Sequence, residues 1–133
     1  MVSGKTGNIR QTVFLPGTPD EVYEALMDEK KHAAFSGSPA KISRKVGGSF
    51  TAYGDYIKGK NLEILPGKKI VQEWRASDWK EGAYSVVSFA FFPAEGGTKV
   101  VFSHTKVPAE EVKDISSGWK EFYWAPMKNF LKE

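Results

Sequence analysis

Residues 116–131, SSGWKEFYWAPMKNFL, carry the pattern that decides the fold. Trp119, Phe122, Tyr123, Met127, Phe130 and Leu131 recur at i, i+3, i+4, i+8, i+11 and i+12, which draws one apolar stripe along a helix. Gly118 and Pro126 weaken that helix locally. Pro126 has no N–H to offer the carbonyl of Phe122, which predicts a kink there. Just upstream, Ala109–Ile115 reads as a short acidic helical start behind Val107-Pro108. A stripe this aromatic needs a partner surface to cover it.

The rest of the chain supplies strands. Ile9, Gln11, Val13 and Leu15 alternate with Arg10, Thr12 and Phe14, a first strand that stops at Pro16-Gly17. Thr18-Pro19-Asp20-Glu21 then opens a helix, with Thr18 as cap, Pro19 at the first helical position and Glu21 completing a capping box. Val22, Tyr23, Leu26 and Met27 form its apolar side, and a second short helix covers about Glu29 to Phe35. Six further strands read as Ala40–Arg44, Ser49–Tyr53, Ile57–Leu65, Lys69–Ser77, Tyr84–Phe92 and Thr98–Lys106. The links between them, such as Gly47-Gly48 and Pro66-Gly67, are short and favour antiparallel neighbours in a meander. Gly47-Gly48 stands between strands with no helix behind it, so it reads as a turn and not as a phosphate cradle. Ile70, Gln72, Trp74 and Ala76 oppose Val71, Glu73, Arg75 and Ser77, and both faces carry bulk. That predicts partial cover on each face and a strongly bent sheet holding something in its hollow. The expectation is an α+β fold, order β-α-α-β6-α, with a strongly curved antiparallel sheet of about seven strands wrapped around a long C-terminal helix. Residues 1–8 read as a flexible tail and 9–133 as one domain.

Composition agrees with a single packed unit. The chain has 133 residues, 41% hydrophobic and 26% charged, with an aromatic share of 14% that is high for its size. Net charge is 19 − 16 = +3 with the signs interspersed, which gives no basic face for nucleic acid. There are no cysteines, so thiolate nucleophiles and thiolate metal sites are excluded, and a reducing, cytoplasmic setting fits. No apolar run is long enough to span a bilayer, and residues 1–8 lack a signal-peptide core.

Four stretches in order carry a family resemblance. They are Gly47-Gly48-Ser49-Phe50; Ile70-Val71-Gln72-Glu73-Trp74-Arg75 with Trp79-Lys80-Glu81-Gly82; Gly97-Thr98; and Val107-Pro108-Ala109-Glu110-Glu111 followed by Gly118-Trp119-Lys120-Glu121-Phe122-Tyr123. From about Ile9 to Phe130 the chain resembles the C-terminal domain of the heat-shock protein 90 ATPase activator family. The element order resembles the wider helix-grip superfamily, which includes the steroidogenic-acute-regulatory lipid-transfer domains and the birch-pollen allergen. The resemblance implies a helix-grip fold, a non-enzymatic co-chaperone role and contact with a heat-shock protein 90 family chaperone. In that family an N-terminal domain makes the principal chaperone contact, and these residues hold no counterpart of it. Chaperone contact is therefore expected before stand-alone ATPase stimulation.

The candidate site residues fall into two groups. Trp74, Phe89, Phe91, His104, Trp119, Phe122, Tyr123 and Met127 should converge between sheet and final helix, as core or as the wall of a pocket for a small apolar ligand. Trp79, Lys80 and Glu81, with Glu110, Glu111 and Lys113, are the partner-contact candidates. Trp79 sits on a charged loop, where it either anchors a partner or folds back to seal the sheet end. His32 and His104 lie far apart in sequence, and His104 reads as a structural histidine; no metal site and no cofactor is expected. Glu73 and Arg75 could orient a ligand or form a surface ion pair worth roughly 0–1 kcal/mol. An enzyme of the cyclase or hydrolase type would have to use His104, Glu73 and Tyr123.

Overall fold

The computed structural model describes residues 5–79 and 83–132. Strand β1 (Thr6–Leu15) leads into helices α1 (Pro19–Met27) and α2 (Glu29–Ser36). Strands β2 (Lys41–Ile42), β3 (Ser49–Ala52), β4 (Ile57–Leu65), β5 (Lys69–Ala76), β6 (Ser85–Ala94) and β7 (Gly97–Pro108) come next. They form one antiparallel seven-stranded sheet in the order β1-β7-β6-β5-β4-β3-β2, so the meander runs out along the sheet and the first strand closes against the last. β1 begins at Thr6, inside the segment that the sequence pattern assigns to a tail. Thr6 and Gly7 pair with Pro108 and Val107 beyond a bulge that ends before Ile9, and the bulge breaks the alternation that would have revealed them. Residues 1–4 of that tail lie outside the described residues.

The two helices are joined by one residue. The Thr18 hydroxyl accepts from the Glu21 amide at 3.2 Å and Glu21 Oε1 accepts from the Thr18 amide at 2.8 Å, the expected capping box. At the other end the Asp28 amide donates to the Glu24 carbonyl at 2.8 Å and closes α1. The Asp28 carboxylate accepts from the amides of Lys30 and Lys31 at 2.9 and 3.0 Å and opens α2. The chain turns between helices without a loop; α1 packs over β6 and β7, and α2 packs against the closing helix.

Alternation assigns the two sheet faces. Ile70, Gln72, Trp74 and Ala76 of β5, Val87, Phe89 and Phe91 of β6, and Val100, Phe102 and His104 of β7 are buried on the inner face. The outer face is less covered than its bulk suggests. Phe14 and Phe92 remain about half exposed there, with the Lys99 ammonium 5.7 Å from the Phe92 ring. Asn61 braces the Gly47-Gly48 turn, its side-chain amide donating to the carbonyls of Ser43 and Lys45 at 2.7 and 3.1 Å.

The closing helix starts earlier than its apolar stripe. A 3-10 turn, Ala109–Glu111, runs into α3 (Val112–Trp119), then a π-helical turn, Lys120–Trp124, then α4 (Ala125–Leu131). The disturbance expected at Pro126 is taken up by this wide turn one residue before α4 begins. A π-turn inserts one residue into the helical register and rotates the downstream segment by about 100°. Trp124 thereby joins Trp119, Tyr123 and Met127 on the buried side, while Phe122, placed on the core face by regular spacing, is 52% exposed.

Side chains from the sheet repair the irregular backbone. The Tyr53 hydroxyl donates to the Phe122 carbonyl, the group whose usual partner Pro126 lacks. Gln11 Nε2 donates to the Ser116 carbonyl at 3.0 Å and to Ser116 Oγ at 3.1 Å, while Gln11 Oε1 accepts from Trp124 Nε1 at 2.6 Å. Gln11 thus ties α3 and the last residue of the π-turn to β1. Tyr53→Phe should lower unfolding free energy by about 1 kcal/mol, and Gln11→Ala, which strands a buried indole N–H, by about 1–3 kcal/mol in urea denaturation. Wild-type midpoints for both variants would contradict this account of the helix.

Candidate functional site

Trp119 is the centre of the interior. Its ring centroid lies 5.9 Å from that of Trp74, 5.8 Å from Phe89, 4.4 Å from Phe102 and 4.3 Å from Tyr123. Its indole N–H donates to His104 Nδ1 at 3.0 Å. Indole nitrogen can only donate, so Nδ1 is the acceptor and Nε2 carries the histidine proton. Nε2 lies 2.7 Å from Ser85 Oγ, and the serine hydroxyl donates onward to the Trp74 carbonyl at 2.8 Å. The chain of donors runs Trp119, His104, Ser85, Trp74, and every member is satisfied. His104 is fully buried, and burial pushes its pKa down to about 3. It is a neutral structural histidine with both ring nitrogens engaged.

An open cleft of about 200 Å³ lies at the mouth of the grip, between the β3–β4 turn and the α3–π segment. Trp74, Trp119 and Tyr123 form its floor, and Tyr53, Tyr56 and Phe122 stand around it with Ile57, Ile115, Gly118 and Asp114. The Tyr53 ring meets Phe122 at 6.0 Å and 72°, and Tyr123 at 5.8 Å and 66°, so the aromatic planes make corners instead of a stack. Tyr53 holds a positive φ of 52°, a strained backbone for a bulky residue, and its hydroxyl is pinned by the Phe122 carbonyl. Burial raises the Tyr53 pKa to about 12 and raises that of Tyr123 as well, which marks a poorly solvated floor. A second void of about 20 Å³ lies deeper, between Phe89, Gln72 and His32. His32 Nδ1 donates to the Leu26 carbonyl at 3.1 Å, and burial depresses its pKa.

Of the eight ligand-pocket candidates, Trp74, Trp119, Phe122 and Tyr123 come together at the cleft. Phe89 borders only the small inner void among these two spaces, while Phe91, His104 and Met127 are packed in the core. Tyr53 and Tyr56 line the cleft too. β3 ends at Ala52, so Tyr53 lies in the turn and not at the strand end that alternation assigns it, and a turn has no periodicity to reveal either residue. Trp79 is 7% exposed and packs on Trp74 with centroids 5.4 Å apart, so it seals the sheet end and is not an exposed anchor. Arg75 holds it there by donating to the Trp79 carbonyl at 2.8 Å. Lys80 and Glu81 lie outside the described residues. Glu110 and Lys113 are exposed and Glu111 is half-buried. Glu73 and Arg75 fall on the outer face, opposite His104, so His104, Glu73 and Tyr123 do not assemble into one site. Among the described residues no group of three or more histidine or carboxylate side chains could hold a metal ion, and no helix is long and apolar enough to cross a membrane.

A curved antiparallel sheet closing on a C-terminal helix defines the helix-grip class. Within it the chain belongs to the family of activator of Hsp90 ATPase homolog 1-like proteins, whose model matches residues 16–132. It is 27% identical over 111 residues to the human activator of 90 kDa heat shock protein ATPase homolog 1, covering 84% of this chain and 33% of that one. It is 34% identical over 104 residues to the Dictyostelium discoideum homolog, covering 77% of this chain and 27% of that one. The chain thus spans about a third or less of these relatives' length. The crystal structure of an HSP90 activator from Plasmodium falciparum superposes with a TM-score of 0.88 at 27% identity, covering 94% of this chain and 96% of that one.

The His104 environment sets a pH dependence. In the unfolded chain His104 protonates near 6.5, while in the folded protein it stays neutral down to about 3. Below pH 6.5 the unfolded state therefore binds the extra proton and stability falls as pH drops, by on the order of 3–5 kcal/mol across that window. His32 shifts in the same direction and adds to the slope. Thermal melts between pH 7 and 4 should show the loss, and His104→Gln should flatten it. A flat profile in the wild type would contradict the buried neutral state.

Proposed function

We propose that this chain is a non-enzymatic interaction domain that docks on a heat-shock protein 90 family chaperone as a co-chaperone, in the cytoplasm. The observation that carries the reading is membership of the activator family over residues 16–132, supported by the Plasmodium falciparum HSP90 activator whose chain it nearly spans. An activator alters another protein's catalytic cycle and needs no catalytic group of its own. The enclosed, doubly hydrogen-bonded His104 suits that role.

The partner surface is proposed at one edge of the molecule. Tyr56 donates to Asp78 Oδ1 at 3.2 Å, and burial first, then that bond and the negative charges of Asp78 and Glu111, raise its pKa, so Asp78 and the start of the closing helix flank the same tyrosine. Glu110 and Lys113, exposed and close to Glu111 in the chain, are proposed to extend this edge, and Lys80 and Glu81 belong to the same loop as Asp78 in sequence. Trp79 supports the edge from beneath. The aromatic cleft beside it favours a second reading, a site for a small ligand at the mouth of the grip.

Titration of the labelled chain against a heat-shock protein 90 homologue with nucleotide present should give saturable binding at tens of micromolar or tighter. Glu110→Lys combined with Glu111→Lys should weaken it several-fold and reduce its salt dependence. Absence of binding would overturn the co-chaperone reading. Binding that ignores both reversals would move the surface elsewhere.

A further inference from the structure

We propose that the cleft lined by Tyr53, Tyr56 and Phe122 recognises a small organic cation, a methylated ammonium head group. This rests on the reading of the cleft as a ligand site and names the chemical class it takes. Among the described residues that line it, Tyr53, Tyr56, Trp74, Trp119, Phe122 and Tyr123 surround one space with a single carboxylate, Asp114, and no basic side chain. An aromatic face is electron-rich at its centre and attracts a cation lying within about 6 Å of the centroid, most strongly where water is excluded. A purely apolar ligand would be served as well by aliphatic walls, and an anion would meet π-faces and a carboxylate.

The geometry suits one compact occupant. Phe122 and Tyr123 each meet the Tyr53 ring in an edge-to-face contact, at 72° and 66°, so the three rings make one continuous angled wall of the cleft. Tyr53 is held in that position against its backbone preference, at φ 52°, by the bond to the Phe122 carbonyl. Charge favours a cation as well. Asp114 lines the cleft, and Asp78 and Glu111 lie by Tyr56 at its rim, so three carboxylates stand at the entrance among the described residues. A volume of about 200 Å³ is below the roughly 300–1,000 Å³ of sites for drug-sized ligands and suits a compact head group. Methyl groups on nitrogen make such a head bulky and weakly hydrated, and it asks for few hydrogen bonds from a floor of rings.

Gly118 makes the proposal testable without disturbing the core. A Cβ there meets only the Phe122 ring at 3.9 Å, so a larger side chain fits the helix and projects into the cleft. Choline and its uncharged carbon analogue 3,3-dimethyl-1-butanol are titrated against the intact chain while the indole N–H resonances of Trp74 and Trp119 are followed. Choline should bind at least about tenfold tighter than the analogue. Asp114→Asn should weaken choline several-fold, and Gly118→Leu should abolish binding at an unchanged or raised melting temperature. A peptide carrying trimethyl-lysine, run alongside, tells a protein-borne head group from a free one. Equal binding of choline and the analogue would overturn the cation inference and leave the ligand site standing. No binding of either would overturn both. Choline binding that survives Gly118→Leu would overturn the assignment to this cleft.

Discussion

The bond from the Trp119 indole to His104 fixes the closing helix in the sheet. It joins the middle of the helix to β7, and the chain of donors continues through Ser85 to the Trp74 backbone, so three strands and the helix share one polar network. Each polar atom in that network is buried, and each would be costly if left alone. The aromatic rings of Trp74, Phe89 and Phe102 pack on the same indole. Packing supplies the attraction, while the polar network selects one rotation and one height for the helix among the many that greasy surfaces alone would tolerate.

Pro126 then shapes the mouth of the grip. A regular helix through this residue would leave the Phe122 carbonyl without a donor. The π-turn and the Tyr53 hydroxyl solve that problem together, and the solution draws the β3–β4 turn across to the helix. The same geometry turns Phe122 outward and places it opposite Tyr53. The open aromatic cleft is therefore a by-product of a backbone constraint. Gln11 completes the arrangement from the other side by holding Ser116 and Trp124.

Much of this is legible in the chain. Six strands after a capped helix and a second short one, the Gly47-Gly48 turn and the stripe of Trp119, Tyr123 and Met127 come from alternation, capping chemistry and helical spacing. The helix-grip architecture comes from those elements in order, and the family from the four motif stretches. Trp124 and Phe122 exchange places because a period of 3.6 assumes an uninterrupted helix, and the expansion before Pro126 is a tertiary solution that periodicity does not encode. Tyr53, which alternation reads as the end of a strand, and Tyr56 both lie in the β3–β4 turn, and turn residues have no period that would aim them at the cleft. Trp79 suits a partner or the sheet end equally by its sequence context, and only the Arg75 bond to its carbonyl and its packing on Trp74 decide the matter. Bulk on the outer face suggests cover there, whereas Phe14 and Phe92 stay half exposed, with Lys99 beside the Phe92 ring.

The proposed chaperone docking and the proposed ligand site both depend on the helix sitting where the Trp119–His104 bond puts it. Nuclear magnetic resonance of the imidazole nitrogens reads that bond directly, because the two tautomers and the protonated ring give distinct nitrogen shifts. The structure requires His104 to carry its proton on Nε2 and to remain neutral from pH 7 to pH 4. A proton on Nδ1, or titration near pH 6.5, would mean that the indole does not reach the imidazole and that the helix is held in some other way.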